Sequence, residues 1–491
     1  MADPASARRM RLGGLVPLTR LGVAMLAASL LLSGHASKTS PETAPTVPNI
    51  VFILADDQRW DTLWAMPNVR SELVEHGVDF TNMFVVNSLC CPSRASILTG
   101  EYSHSTLVYR NSGRYGGFNA FHGDGSTIAT WLAGGGYRTA LIGKYLNGYD
   151  VNYIPPGWSS WVAFQGAPNG GAYYNYDLNV DGTLVHYGSA PEDYSTDVLA
   201  TYADSFIRST DSEQPLFLYL SLKAPHLPTT PAPKYADAFS DLPPYRPPNY
   251  NEADVSDKPA WVQALHPLSH SDQDWIDGNR KNQYRTLLSV DDAVGTVVTA
   301  LRDTGRLSNT MIVYTSDNGW ALGEHRWKNK KDAYEESIRV PLIVRYDPYT
   351  PIPRTDDHLV TNIDFAPTFA EAGGVDAPGV DGASFMPLIE QLPVTWRADF
   401  LVEHLVSGPG PPTFCAVRSE SYLYVRYLTT GEEELYDLGA DFYELSNVAT
   451  DPDYSGTLRA MRRRLAVLCD PLPPRRQRPT LARSGAGVQL G

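Results

Sequence analysis

Short, unbroken apolar runs recur along the chain, and polar residues gather where those runs stop. Asn49–Ala55 (NIVFILA) is continuous and rich in β-branched residues, the pattern of a strand buried on both faces of a parallel sheet. Tyr137–Gly143, Pro215–Leu222, Thr310–Thr315 and Val340–Arg345 read the same way. Stretches of helical period lie between them: Ser126–Ala133, closed by Gly134–Gly136, then Ser195–Arg208 and the long amphipathic Tyr284–Arg302. Asp364–Ala372 starts another helix, which Gly373-Gly374 terminates. Strands alternating with helices predict an α/β sandwich with a large, mostly parallel sheet flanked by helices. From about residue 396 the elements shorten. Phe414–Ser419, Tyr422–Tyr427 and Glu434–Asp437 read as strands and Leu458–Cys469 as a closing helix, a small α+β subdomain. The predicted layout is a main domain over 49–395, the subdomain over 396–470 and a disordered Pro/Arg/Gly-rich tail over 471–491. The tyrosine-rich Gly166–Tyr187 and the proline-rich Pro228–Pro259 read as long loops.

The N-terminus reads as an address. Arg8, Arg9, Arg11 and Arg20 precede the apolar run Leu21–Leu32, and Gly34-His35-Ala36 places small residues where a signal peptidase cuts. This predicts a secretory signal cleaved near Ala36, with a short membrane anchor as the alternative, then a polar linker over 37–48. No later run is long enough to insert stably in a membrane, so the mature chain is expected in a periplasm, at a cell wall or in the medium. Charged residues at 19% and hydrophobic residues at 43% exclude a coiled coil or a disordered chain. Lys+Arg 40 against Asp+Glu 55 gives a net charge of −15, which argues against a nucleic-acid partner. Four cysteines exclude a disulfide-dense scaffold. Cys90 and Cys91 are adjacent and do not easily bridge each other, which leaves Cys415 and Cys469 as the expected disulfide.

The chemistry sits at strand ends, where ligands bind in open α/β sheets. Asp56-Asp57 follow one strand, Lys144 a second, His226 a third and Asp317-Asn318 a fourth. Each acid alone is an ordinary cap or turn former. Together, three carboxylates and an amide are an oxygen-only set suited to Ca²⁺ or Mg²⁺. Three carboxylates at one spot repel, so a cation or a buried base must join them.

Cys90-Cys91-Pro92-Ser93-Arg94, followed by Ala95-Ser96-Ile97-Leu98-Thr99-Gly100, resembles the signature of the type I sulfatases of the alkaline phosphatase superfamily. Further segments are similar in family order: NIVFILADDQ, GKYLN at Gly143–Asn147, KAPHLP at Lys223–Pro228, SDNGWALGEH at Ser316–His325 and KKDAYEESIRVPLIVR from Lys330. The resemblance implies an alkaline-phosphatase-like fold and a sulfuric ester hydrolase. It implies that a maturation enzyme oxidises Cys90 to Cα-formylglycine. Residue 90 then joins Asp56, Asp57, Asp317 and Asn318 around the cation. The hydrated aldehyde attacks sulfur with one hydroxyl, and the second expels sulfate from the sulfo-enzyme. Arg94 would orient the diol, and Lys144, His226 and Lys330 would hold sulfate oxygens, with His226 and Lys330 as candidate proton donors. Lys328 and Lys331 flank Lys330, so that register stays open.

Where many sulfatases carry a histidine two residues after the first lysine, this chain has Leu146, which leaves the base for sulfate release unassigned. GKYLN and YIPPGW at Tyr153–Trp158 are similar to glucosamine-6-sulfatases and extracellular heparan endosulfatases. That branch implies a sugar sulfate, with Asn147 and His325 as candidate substrate-binding residues, His325 equally open to a structural role. Two other readings stand beside it: a phosphonate monoester or phosphodiester hydrolase of the same superfamily, and a non-catalytic secreted glycan-binding protein.

Overall fold

The computed structural model describes residues 47–474 apart from 168–169; the predicted leader, nearly all of the linker and the tail beyond 474 lie outside the described residues. Sixteen strands follow in chain order among them: β1 Asn49–Asp56, β2 Val78–Phe80, β3 Met83–Phe84, β4 Arg138–Gly143, β5 Ser160–Gln165, β6 Tyr176–Val180, β7 Thr183–Tyr187, β8 Leu216–Pro225, β9 Thr310–Ser316, β10 Leu342–Arg345, β11 Arg354–Asp356, β12 Val360–Thr361, β13 Asp399–His404, β14 Phe414–Ser419, β15 Tyr422–Tyr427 and β16 Glu433–Asp437. Ten form one sheet in the order β11-β2-β10-β9-β1-β8-β4-β5-β6-β7. Its centre, β9-β1-β8-β4-β5, is parallel. Towards the edges β10, β6 and β7 pair antiparallel with their neighbours.

β1 shows why the chain layers as it does. Successive side chains of a strand point to opposite faces, so a wholly apolar strand needs cover on both. Ile50, Phe52 and Leu54 enter one core with the helices Cys90–Thr99, Ile128–Gly134 and Phe365–Ala372. Val51 and Ile53 enter a second core with the helices Ser195–Ser209 and His270–Asp303. The predicted sandwich with a mostly parallel sheet is what forms.

Three segments differ from the sequence expectations. The long helix starts at His270, not Tyr284. Its first turns are largely polar and carry little apolar period, but Ser269 caps them: its Oγ accepts from Asp272 N at 3.2 Å, and Ser269 N donates to Asp272 Oδ2 at 3.0 Å. Gly166–Tyr187 is not one loop. It contains the hairpin β6–β7, which extends the main sheet and turns at Asp181 (φ 47°) and Gly182 (φ 90°), the positive-φ pair of a type I′ turn. The C-terminal sheet has a further strand, β13, and runs β13-β14-β15-β16, all antiparallel. Helix Ser455–Leu468 packs on this sheet through Leu458, Met461 and Leu465 against Leu401, Val417, Tyr424 and Leu435. A disulfide joins Cys415 on β14 to Cys469, just after that helix. Among the described residues no helix is long and apolar enough to cross a membrane.

Candidate active site

Because β9, β1, β8 and β4 are consecutive and parallel, their carboxyl ends open on one edge of the sheet. Asp56 ends β1, and Asp57 follows in the left-handed region at φ 70°, an uncommon conformation for a non-glycine residue. Asp317 and Asn318 follow β9, and Lys223 and His226 lie at the end of β8. Lys144 follows Gly143, the last residue of β4; a Cβ at Gly143 would stand 1.9 Å from Ser221 O, so only glycine lets β4 approach β8 there. Helix Cys90–Thr99 delivers its first residue to the same place, where the helix N-terminus adds positive partial charge.

The side chains interlock. Cys90 Sγ lies 3.4 Å from Asp56 Oδ1 and 2.8 Å from Lys330 Nζ. Lys330 Nζ also bonds Asp57 Oδ1 and lies 3.4 Å from Asn318 Oδ1. Lys144 Nζ donates to Asp56 Oδ2 at 2.6 Å. Arg94 Nε donates to Asp317 Oδ2 at 2.7 Å, and its Nη1 donates to Ser221 Oγ at 2.6 Å. Asn318 Nδ2 donates to Asp57 Oδ1 at 2.6 Å. His226 Nε2 stands 3.7 Å from Asp57 Oδ2. One ligand atom each from Asp56, Asp57, Cys90 and His226 fall within 4.8 Å of one another, all in buried residues.

Burial and charge compete here. Burial would raise Asp56, but Lys144, His226, Arg94 and Lys223 hold its carboxyl well below the usual range. Burial and the neighbouring Asp56 push Asp317 up to about 6. Burial would lower Lys330, yet Asp57, Cys90 and Asp56 keep it above the ordinary lysine range. Burial, and then Asp56, raise the Cys90 thiol to about 11, so the unmodified thiol is protonated and a poor nucleophile at neutral pH. Burial drives His226 down to about 4, leaving a neutral imidazole.

The donor set fits a hard divalent cation. Asp57 Oδ2 is buried and hydrogen-bonds nothing among the described residues, and the Lys330 ammonium already brings positive charge between Asp57 and Asn318. Asp56, Asp57 and Asp317 offer carboxylate oxygens and Asn318 its Oδ1, the ligand type that Ca²⁺ or Mg²⁺ requires.

Other residues named from sequence lie further out. Asn147 is buried beside the Cys91 thiol, which meets the backbone of Asn147 and Gly117, and Cys91 itself is core. His325 belongs to a separate cluster: it is buried, its Nδ1 lies 2.6 Å from Glu252 Oε2 and its ring packs on Tyr334. Lys328 pairs with Asp272, and Lys331 Nζ donates to Ser407 O at 3.1 Å, so Lys330 alone of the three reaches Cys90. Two residues went unread. Lys223 Nζ lies 2.6 Å from His226 Nδ1 and is pushed down to about 8 by burial, and Ser221 receives Arg94. The signal was a serine and a closing lysine in an otherwise apolar strand, PLFLYLSLK.

Comparison with known proteins places this geometry. The family model described as sulfatase matches residues 48–375, which span every candidate residue of this cluster. The chain belongs to the sulfatase family. This sulfatase also matches the model for the N-sulphoglucosamine sulphohydrolase C-terminal region over residues 323–470. It is 34% identical to a goat N-acetylglucosamine-6-sulfatase over 84% of this chain and 82% of the relative. It is 35% identical to a fruit-fly extracellular sulfatase SULF-1 homolog over 75% of this chain but only 34% of that longer protein. Among solved structures, one in complex with its substrate D-glucosamine-2-N,6-O-disulfate superposes with a TM-score of 0.78 at 26% identity, covering 88% of this chain and all of that one (100%). A phosphonate monoester hydrolase of Agrobacterium radiobacter shares the fold, with a TM-score of 0.67 at 24% identity over 86% of this chain and 95% of that one. The protein is therefore a sulfuric ester hydrolase with an alkaline-phosphatase-like fold.

Proposed function

We propose that this sulfatase hydrolyses sulfate monoesters of sugars, 6-O-sulfated glucosamine in particular. In this reading Cys90 is matured to formylglycine, Asp56, Asp57, Asp317 and Asn318 hold Ca²⁺ or Mg²⁺, and the leader 1–36 directs secretion. The observation that carries the reading is the seat of Cys90 Sγ, between Asp56 and Lys330 at the edge where four strands deliver acids and bases. The unmodified thiol, held protonated by burial, is poorly suited to attack an ester. Oxidised and hydrated, residue 90 supplies one hydroxyl to attack sulfur and a second to release sulfate, and the cation supplies charge neutralisation.

The remaining roles follow from charge. Lys144 and Lys330 are held cationic by their aspartates, which suits them to the oxygens of a sulfate ester. Arg94, fixed by Asp317 and Ser221, orients residue 90 and Asp317 together. His226 is steered by Lys223 Nζ at 2.6 Å and Leu227 O at 2.5 Å, both at Nδ1, which leaves Nε2 to face the cluster. Lys330, held cationic, is the group from which the leaving oxygen takes its proton, while the neutral His226 faces the ester through Nε2. The sugar class is supported by the goat relative and by the substrate of the structural neighbour. Secretion is supported by the leader and by the extracellular fly relative.

The test is hydrolysis by protein co-produced with a formylglycine-generating enzyme. N-acetylglucosamine 6-sulfate is expected to release sulfate, EDTA to stop it, and Ca²⁺ or Mg²⁺ to restore it. Faster turnover of an aryl phosphonate ester would favour the phosphonate hydrolase reading. Glycan binding without turnover would make the protein a binder.

A further inference from the structure

Apart from the catalytic centre, a second set of ligand-type side chains is buried in the molecule. One ligand atom each from His325, Glu336 and Glu444 falls within 4.8 Å of the others. They come from two parts of the chain. His325 and Glu336 flank Lys330 on the segment after β9, and Glu444 follows β16 in the C-terminal subdomain. Side-chain rotation brings atoms at this spacing onto one ion with bonds of about 2 Å.

Acids alone do not make a site, but hydrogen bonding and charge point to a cation here. His325 Nδ1 stands 2.6 Å from Glu252 Oε2, so Nδ1 carries the ring proton and donates it to that carboxylate. The ring then presents the lone pair of Nε2, whose contact with Asn249 Nδ2 is long at 3.4 Å. A carboxylate that fixes the tautomer in this way is the usual support of a metal-ligating histidine. The acids are held by one oxygen each. Glu336 Oε1 accepts from Asn249 Nδ2 at 3.0 Å, and Glu444 Oε2 accepts from Glu335 N at 3.3 Å. Their other oxygens, Glu336 Oε2 and Glu444 Oε1, have no hydrogen-bond partner among the described residues, and neither does Asn249 Oδ1. Glu336 is 6% exposed, and Glu444 and Asn249 are 0% exposed.

No base answers these two acids. Arg59 pairs with Glu324, Arg418 pairs with Glu335, and Lys258 Nζ donates to Glu444 O and Leu445 O, each at 2.8 Å. Two carboxylates and a ligating imidazole, which is neutral when it binds metal, carry two negative charges, and one divalent ion cancels them. A nitrogen donor beside two carboxylates favours a borderline ion such as Zn²⁺ over Ca²⁺ or Mg²⁺, which take oxygens.

We propose that His325, Glu336 and Glu444 bind a second, structural ion, Zn²⁺ in particular, distinct from the cation at Asp56 and Asp57. The ion joins the C-terminal subdomain to the segment that carries Lys330, and it positions that lysine without touching substrate.

Elemental analysis of the full chain tests this. The protein is stripped of metal, given Ca²⁺ with an equivalent of Zn²⁺, and passed through gel filtration. The wild type is expected to keep about one zinc per chain, and Asp57→Asn, which lacks a ligand of the catalytic cation, to keep it too. His325→Ala and Glu444→Gln are each expected to bind zinc at least about 100-fold more weakly, and Glu252→Gln about tenfold more weakly. Zinc should raise the Tm of the wild type by at least about 2 °C and leave that of Glu444→Gln unchanged. Three results overturn the proposal: wild type that keeps no zinc, zinc that is lost with Asp57→Asn, or zinc kept equally by His325→Ala and Glu444→Gln. The first would leave the two carboxyls to protons. If the ligand variants do not fold, X-ray absorption at the zinc edge of Asp57→Asn reads the same site. Imidazole scattering is expected, and an all-oxygen shell counts against the proposal. Metal content is the readout throughout, so the result does not depend on which ester the catalytic centre cleaves.

Discussion

Two buried polar clusters draw residues from the segment after β9, Asp317 and Lys330 in one and His325 in the other, and they solve the burial of acid in opposite ways. In the front cluster, Asp56, Asp57 and Asp317 are met by Lys144, Lys330 and Arg94, one base to each acid. In the rear cluster, His325, Glu336 and Glu444 bring ligand-type atoms within 4.8 Å of one another, but nearby cations are committed elsewhere. Arg59 pairs with Glu324 at 2.7 Å, and Arg418 with Glu335 at 2.7 Å. Glu336 keeps one bond from Asn249 Nδ2 at 3.0 Å, and Glu336 Oε2 and Glu444 Oε1 have no partner among the described residues. Burial, and then Glu324, push Glu336 up to about 8, and burial, Glu336 and Glu335 raise Glu444 well above the carboxylate range. The same residue types therefore give an ion-paired centre where bases are supplied, and carboxyls whose pKa burial raises where they are not. The first is equipped for chemistry. The second ties the loop after β9 to the segment after β16.

The largest effect that separates the two is expected from Cys90→Ala. Loss of the nucleophile should reduce turnover by at least about 10⁴-fold, while circular dichroism shows a folded chain. Asp57→Asn should cost at least about 100-fold in activity and release the divalent cation, read by elemental analysis. Lys144→Ala and His226→Ala should each lower kcat by about 10²- to 10³-fold and leave the bound metal in place, which separates charge stabilisation from cation binding.

The smallest effect falls in the rear cluster and has the opposite pH sense. Glu336 holds its proton up to about 8 in the folded chain, against 4.5 for a free glutamate. Its contribution to stability is full below about 4.5 and is lost as pH rises through about 8. Asp56, depressed by its bases, contributes above the ordinary aspartate range near 3.8 and loses that contribution as pH falls. Glu336→Gln, which cannot ionise, should flatten the alkaline fall in Tm by about 2–4 °C at pH 9 and change nothing at pH 5. An unchanged alkaline slope would mean that the rear cluster is not protonated.

The front cluster was readable because β1, β4, β8 and β9 are apolar on both faces, so their ends stand out wherever Asp, Lys or His begins. Helix Cys90–Thr99 was legible only as a motif. All ten of its residues are buried, so it has no polar face to reveal a period. The hairpin β6–β7 hid behind its tyrosines, although Asp181-Gly182 is a turn signal. The division of labour around His325 was not legible at all. Its role depends on Glu252, Asn249 and Glu444, which come from distant segments, and nothing local to Gly323–His325 tells a substrate contact from a buried joint.

Catalysis in this reading turns on the chemical state of residue 90, and mass spectrometry of the tryptic peptide Ser71–Arg94 reads it directly. Preparations that cleave N-acetylglucosamine 6-sulfate are expected to carry an aldehyde at position 90, with activity proportional to the converted fraction. Full activity in a preparation whose Cys90 is an intact thiol would contradict the account.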